Sequence, residues 1–213
     1  MRGEQALRVA LPKGRNFDSA VAALRGAGLD LPGIDVDSRR LVLAYPADGV
    51  EVLLLKDWDL PRYVEQGVAD CGVVGSDVLE EVDGDLLVPV RLQAGGSRLS
   101  LIGHPGTLPA PGQQVRLATK FLTIARNYLA TTPWSAEVVE LRGSLELAPL
   151  LDLAEVALDI VQTGRTLREH GLVELQRVRD VTPCLVVNRS AYQRQRARLN
   201  DLFTRLEQAG VAA

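Results

Sequence analysis

The stretch from Val156 to Leu167 constrains the fold more than any other part of the chain. Val156-Ala157-Leu158-Asp159-Ile160-Val161 is an apolar, β-prone run that carries one acid. It stops at Gln162-Thr163-Gly164-Arg165-Thr166, and a helix-like segment follows. Free backbone N–H groups, two hydroxyls and the positive end of a helix then converge on one spot, which suits a phosphate. Gly164 lets the backbone approach an anion closely and take up positive φ. Thr163 and Thr166 add O–H donors and Arg165 adds charge. Two readings are open at this point. One is a phosphate cradle in which Asp159 holds ribose hydroxyls or a metal ion. The other is a plain strand–helix turn with Thr166 as the N-cap.

The rest of the chain repeats the strand–turn–helix pattern. Strand-like runs at 6–11, 40–44, 50–55, 71–74 and 86–92 alternate with helical spacing at 17–28, 60–67 and from Asp77 onward. Further strands fall at 98–103, 115–119, 136–141, 172–181 and 184–188, with helices at 123–130, 145–150 and 192–209. This alternation predicts an α/β fold built on parallel pairing. Several loops that follow strands are polar and Gly-rich: Pro12-Lys13-Gly14-Arg15, Gly75-Ser76-Asp77, Gly95-Gly96-Ser97 and the stretch after Asp159. Ligands of open α/β sheets gather at the C-terminal ends of strands, where such loops lie.

Composition removes several function classes. With 213 residues and 46% hydrophobic content, the chain can bury one large core or two small ones. Its net charge of −3 shows no basic excess, so nucleic acid is not an expected partner. Cys71 and Cys184 both sit in apolar runs and read as small core residues. His104 and His170 lie far from each other and from either Cys in sequence, so no protein-built metal cluster is expected. No apolar run approaches the ~20 residues of a membrane helix, and the charged first residues lack a signal core. A cytoplasmic location is the default expectation.

Five segments, taken together, resemble one family. They are Leu11-Pro12-Lys13-Gly14-Arg15; Tyr63 through Gly75; Ala118-Thr119-Lys120; Gly143 through Pro149; and Asp159 through Leu167 with Glu169, Gly171 and Leu172. In this order they resemble the short form of ATP phosphoribosyltransferase, the first enzyme of histidine biosynthesis. The resemblance implies a two-domain α/β fold like that of type II periplasmic binding proteins, with mixed, mostly parallel sheets. It implies domain I at 1–90 plus 183–213, and domain II at 91–182 carrying the phosphate loop. It implies joining of N1 of ATP to C1 of 5-phosphoribosyl 1-diphosphate (PRPP), with release of diphosphate and with Mg²⁺ carried on it. The expected partner is a regulatory subunit similar to histidyl-tRNA synthetase, in a hetero-octamer, alongside self-association as dimers. The chain ends after the 192–209 segment and leaves no room for the histidine-binding domain of long-form members.

Residue roles follow from the same resemblance. Thr163, Gly164, Arg165 and Thr166 are expected to cradle the 5-phosphate of PRPP, and Asp159 to reach the ribose. Glu146 is expected either to bind ribose hydroxyls or Mg²⁺, or only to stabilise its own helix N-terminus. Lys13, Arg15 and Arg40 are the candidate catalytic cations for diphosphate or ATP phosphates; Arg suits bidentate phosphate contacts and Lys a point charge. Asp70, Gly72, Gly75, Arg98, Lys120 and Phe121 are the candidates for ATP, Phe121 as an aromatic beside adenine or as a core residue. The chain departs from the family pattern at Leu122 (usually Pro), Asp152 (usually Gly), Glu155 (usually Asp) and Gly96-Ser97-Arg98. None of these touches the Thr-Gly-Arg-Thr loop. Two other classes fit parts of the pattern. A non-catalytic solute-binding module would share the fold. A PRPP enzyme of the type I fold would show paired acids before its loop, where this chain has Asp159 alone.

Overall fold

The computed structural model of the chain describes residues 6–93 and 97–209. The chain forms two compact units, Met1–Gly95 with Thr182–Ala213, and Gly96–Val181. Ala94, Gly95 and Gly96 of the third Gly-rich loop lie outside the described residues.

The first unit is a six-stranded sheet in the order β2-β3-β1-β4-β11-β5. Its strands are β1 (Leu7–Pro12), β2 (Val42–Tyr45), β3 (Val50–Leu55), β4 (Cys71–Gly75), β5 (Leu87–Arg91) and β11 (Pro183–Val187). β1 pairs in parallel with β3 and β4 at the centre, and the outer pairs are antiparallel. All five residues of β4 are buried, as expected of a central strand covered on both faces. One face packs Val9, Leu11, Val52, Val73 and Leu185 against α1 (Phe17–Gly26) and α8 (Arg196–Gln208). The other packs Ala10, Val74 and Val186 against α2 (Leu60–Glu65) and α3 (Ser76–Val82). Each fully buried Leu or Val in these layers contributes on the order of 2 kcal/mol.

The second unit is a five-stranded sheet in the order β10-β6-β9-β7-β8. It uses β6 (Ser97–Gly103), β7 (Gln114–Thr119), β8 (Ser135–Glu140), β9 (Val156–Val161) and β10 (Val173–Val181). β7 is parallel to β8 and β9; β6 is antiparallel to β9 and β10. Alternation along β9 sends Val156 and Leu158 to a core with α4 (Leu122–Leu129), and Ala157 and Val161 to a core with α5 (Leu147–Leu150) and α6 (Arg165–Glu169).

The fold class is the expected one, with more antiparallel pairing than strand–helix alternation suggested. β6 pairs antiparallel with β9 and β10, and β11 pairs antiparallel with β4 and β5. The 192–209 helix is broken at Gln195, which adopts φ −122° and ψ 32°, into α7 (Arg189–Arg194) and α8. Asn188 starts α7 by accepting the Ala191 N–H at 2.8 Å. The 145–150 helix shrinks to α5, because Ser144 is held at φ +47°.

Candidate active site

In the second unit the C-terminal ends of parallel β7 and β9 lie side by side. Lys120 follows β7, and Asp159 lies three residues from the start of the loop after β9. Lys120 Nζ stands 3.4 Å from Asp159 Oδ1, an open ion pair rather than a tight hydrogen bond. Burial pushes the Asp159 carboxyl above the ordinary Asp range; Lys120 opposes that shift and the nearby Glu146 carboxylate adds to it. Glu146 occupies the N-cap position of α5 but makes no side-chain cap hydrogen bond. Asp159 thus feels both Lys120 and Glu146 beside the loop.

The loop itself is exposed at Gln162, Thr163, Arg165 and Thr166. Gly164, not Thr166, is the N-cap of α6, and it is left-handed at φ +66°. The N-cap alternative for Thr166 is thereby corrected: Thr166 lies exposed within the first turn of the helix. The first-turn N–H groups of a helix have no intrahelical acceptor; here the Arg165 N–H donates to Thr163 Oγ1 at 3.3 Å. Arg168 Nη1 donates to the Thr163 carbonyl at 3.0 Å, and Arg98 Nη1 to the Gln162 carbonyl at 3.0 Å. Both carbonyls are therefore occupied by cations. Arg98 is held in turn by Glu174, whose carboxylate receives its Nε at 2.8 Å and its Nη2 at 2.5 Å.

In the first unit the candidate cations Lys13 and Arg15 lie in the turn after β1, and Arg40 lies before β2. The Lys13 N–H bonds the Leu55 carbonyl, and Lys13 Nζ donates to the Ser38 carbonyl at 2.9 Å. The Arg40 N–H donates to Ser38 Oγ at 3.1 Å, which brings Arg40 to the same turn. Arg15 Nη2 pairs with Asp77 Oδ2 at 2.8 Å. A Cβ on Gly75 would overlap Asp77 Oδ1, so Gly75 gives that carboxylate its room.

Four expected nucleotide contacts are committed elsewhere. Asp70 lies at the start of β4, the opposite end from Gly75. There Oδ2 accepts the Arg8 N–H at 2.9 Å and Oδ1 pairs with Arg194 at 3.5 Å. Gly72 is a packing glycine: a Cβ would stand 2.8 Å from the Ala10 carbonyl oxygen. Phe121 is fully buried among Leu117, Ile124 and Leu158. Arg98 spends its guanidinium on Glu174 and Gln162. Sequence reasoning passed over Glu174 and Asp77, because a cross-strand partner 76 residues from Arg98 leaves no local spacing signal.

The comparisons with known proteins bear on this geometry. A family model described as HisG: ATP phosphoribosyltransferase matches residues 56–208. The chain belongs to the ATP phosphoribosyltransferase family. Its activity is that of the first step of histidine biosynthesis. It is 46% identical over 203 residues to the ATP phosphoribosyltransferase of Thermus thermophilus, covering 95% of this chain and 96% of that one. It is 41% identical over 202 residues to that of Halalkalibacterium halodurans, covering 95% of both. These near-complete overlaps are with proteins of short-form length. Among solved structures, the chain is similar to the ATP phosphoribosyl transferase (HisG:HisZ) complex from Thermotoga maritima. The TM-score is 0.78 at 30% identity, over 95% of this chain and 98% of that one. Among the described residues no helix is long and apolar enough to cross a membrane.

Proposed function

We propose that the second unit of this chain binds PRPP, and that the candidate cations of the first serve the phosphates of the reaction. N1 of ATP attacks C1 of PRPP, the C1–O bond breaks, and diphosphate departs with the electron pair. Positive charge grows on the ribose and negative charge on the leaving group. Fixed cations and alignment are therefore the main demands, and no covalent nucleophile is needed. Thr163, Gly164, Arg165 and Thr166 cradle the 5-phosphate. Asp159 and Glu146 receive ribose hydroxyls, with Lys120 fixing Asp159. Lys13, Arg15 and Arg40 meet diphosphate or ATP phosphates. One observation carries this reading: a half-buried acid beside Lys120 leads directly into an exposed loop whose glycine is left-handed.

Mg²⁺ is the proposed cofactor. Among the described residues no group of three His, Cys, Asp or Glu gathers for a metal. Mg²⁺ on a phosphate substrate needs only one or two carboxylates, and Asp159 and Glu146 supply that number. Held by Asp159 and Glu146, the ion would supply shielding of phosphate charge; the chain's own part is to hold the sugar. The two compact units are the proposed domains. The proposed setting is the cytoplasm, with self-association as dimers. The proposed partner is a histidyl-tRNA-synthetase-like regulatory subunit in a hetero-octamer; the similarity to the HisG:HisZ complex from Thermotoga maritima supports it.

The test mixes the chain with ATP, PRPP and Mg²⁺ and follows product near-ultraviolet absorbance and diphosphate. Turnover is expected. Its absence, even with the regulatory subunit present, would leave a ligand-binding module instead.

A further inference from the structure

The polar residues between the ends of β1 and β4 are built around a group that no step above uses. Asp77, in the first turn of α3, is 2% exposed, yet it is a carboxylate. Burying a lone carboxylate is costly, so its contact with Arg15 at 2.8 Å is what keeps it there. Gly75 lacks the Cβ that would overlap Asp77 Oδ1, and Asn16 Nδ2 would stand 3.0 Å from that same Cβ. Asn16 is itself 5% exposed. Asp77, Asn16 and the Arg15 guanidinium therefore share one small space. Arg15 Nε, Asn16 Nδ2 and Asp77 Oδ1 have no protein partner there. A buried carboxylate bonded through one oxygen to one terminal guanidinium nitrogen restrains the rotation of an otherwise flexible side chain.

We propose that Asp77 is a positioning residue for this reaction: it fixes the Arg15 guanidinium from behind, so that its free edge meets the phosphate charge. Gly75-Ser76-Asp77 then has a joint meaning. Gly75 opens the space, Ser76 anchors the turn through the Thr182 backbone (its N–H to the carbonyl at 2.9 Å, its Oγ to the N–H at 3.2 Å), and Asp77 reaches back to Arg15. Asp77 touches no substrate and acts through Arg15. This rests on the reading of Arg15 as a phosphate cation.

The test is a double-mutant cycle on turnover, using the full chain with its regulatory partner. Asp77→Asn keeps the size of the side chain and removes the charge that restrains Arg15. It is expected to lower kcat by about 10²-fold, the effect of a misplaced catalytic group, with KM for PRPP changed by less than about threefold. Arg15→Gln is expected to lower kcat at least as much. The double variant is expected to turn over no more slowly than Arg15→Gln, since Asp77 has nothing left to position, and to melt higher than Arg15→Gln because the orphaned acid is gone. Losses that multiply would make Asp77 an independent structural group and overturn the proposal. Unchanged kcat in Asp77→Asn alone would do the same while leaving the reading of Arg15 intact. Unchanged kcat in Arg15→Gln would overturn that reading first. If Asp77→Asn does not fold, the double variant against Arg15→Gln still decides: equal turnover supports positioning, slower turnover refutes it.

Discussion

Gly164→Ala isolates the loop that is proposed to hold the 5-phosphate. Gly164 sits at φ +66°, a left-handed conformation. An added Cβ would find Arg168 Nη1 at 3.4 Å and Val161 Cγ1 at 3.8 Å, ordinary contact distances. Sterics from neighbours therefore do not decide the outcome; the backbone torsion does. Holding Ala left-handed costs about 1–2 kcal/mol, and a β-branched Val more. In the exposed, unliganded loop Ala relaxes out of this conformation, so little of that cost appears as lost stability. Binding the phosphate demands the conformation again and restores the whole cost. KM for PRPP is then expected to rise roughly 5- to 30-fold in Gly164→Ala. KM for ATP is expected to hold, and the melting temperature to shift by less than about 4 °C. Initial rates at saturating ATP over a PRPP titration give the first quantity, and calorimetry the last. An unchanged KM for PRPP in both Ala and Val variants would refute the assignment of this loop to the phosphate.

Three other outcomes follow from the same geometry. Asp159→Asn removes a carboxyl whose pKa burial has raised. The folded protein binds this proton more readily than the unfolded chain, so the group destabilises as pH rises through that window. The variant is expected to melt higher than the parent at pH 7, the gap closing toward pH 4, while its KM for PRPP rises; a lower melting point at pH 7 would contradict the burial argument. Gly72→Ala puts a Cβ 2.8 Å from the Ala10 carbonyl and is expected to cost about 1–3 kcal/mol in denaturant melts, and a neutral result would mean the strand spacing yields. The Arg116 guanidinium and backbone N–H hold the Glu155 carboxyl down to about 2, so its contribution is present above the ordinary Glu value and is lost as pH falls through it toward about 2. Because the pair is 42% exposed on each side, Glu155→Gln is expected to cost under about 1 kcal/mol at pH 7 and nothing at pH 2.

The α/β layering and the strand–loop–helix of the phosphate loop were legible because they rest on short-range periodicity. The run Val156–Val161 alternates between two cores, and that alternation is written in six consecutive residues. The antiparallel return of β10 onto β6 was not legible, since pairing depends on where a distant strand finds a partner. The same limit governs the site. Lys13, Arg15 and Gly164 sit in local turns and can be singled out from sequence alone. Asp77 and Glu174 matter through Arg15 and Arg98, at separations of 62 and 76 residues, and only the fold brings them together. Phe121 shows the converse: an aromatic in a promising loop belongs to the core, because Thr119 Oγ1 accepts its N–H at 3.0 Å and turns the ring inward.

The buried Asp77 and the half-buried Asp159 are held differently, and the difference bears on what each can do. Asp77 is closed on Arg15 at 2.8 Å, whereas Asp159 stands 3.4 Å from Lys120 and feels Glu146 as well. The tight pair satisfies the charge of Asp77 itself, which is left to hold Arg15 rather than to meet a ligand. Asp159 sits in an open pair with a second acid nearby, and the Glu146 carboxylate adds to the upward shift that burial imposes on it. Hydroxyl donors or a divalent cation relieve it; a further anion would aggravate it. On the proposed reading the sugar hydroxyls lie beside Asp159 and Glu146 and the phosphate on the loop, where Arg98 and Arg168 occupy the Gln162 and Thr163 carbonyls that would otherwise repel it.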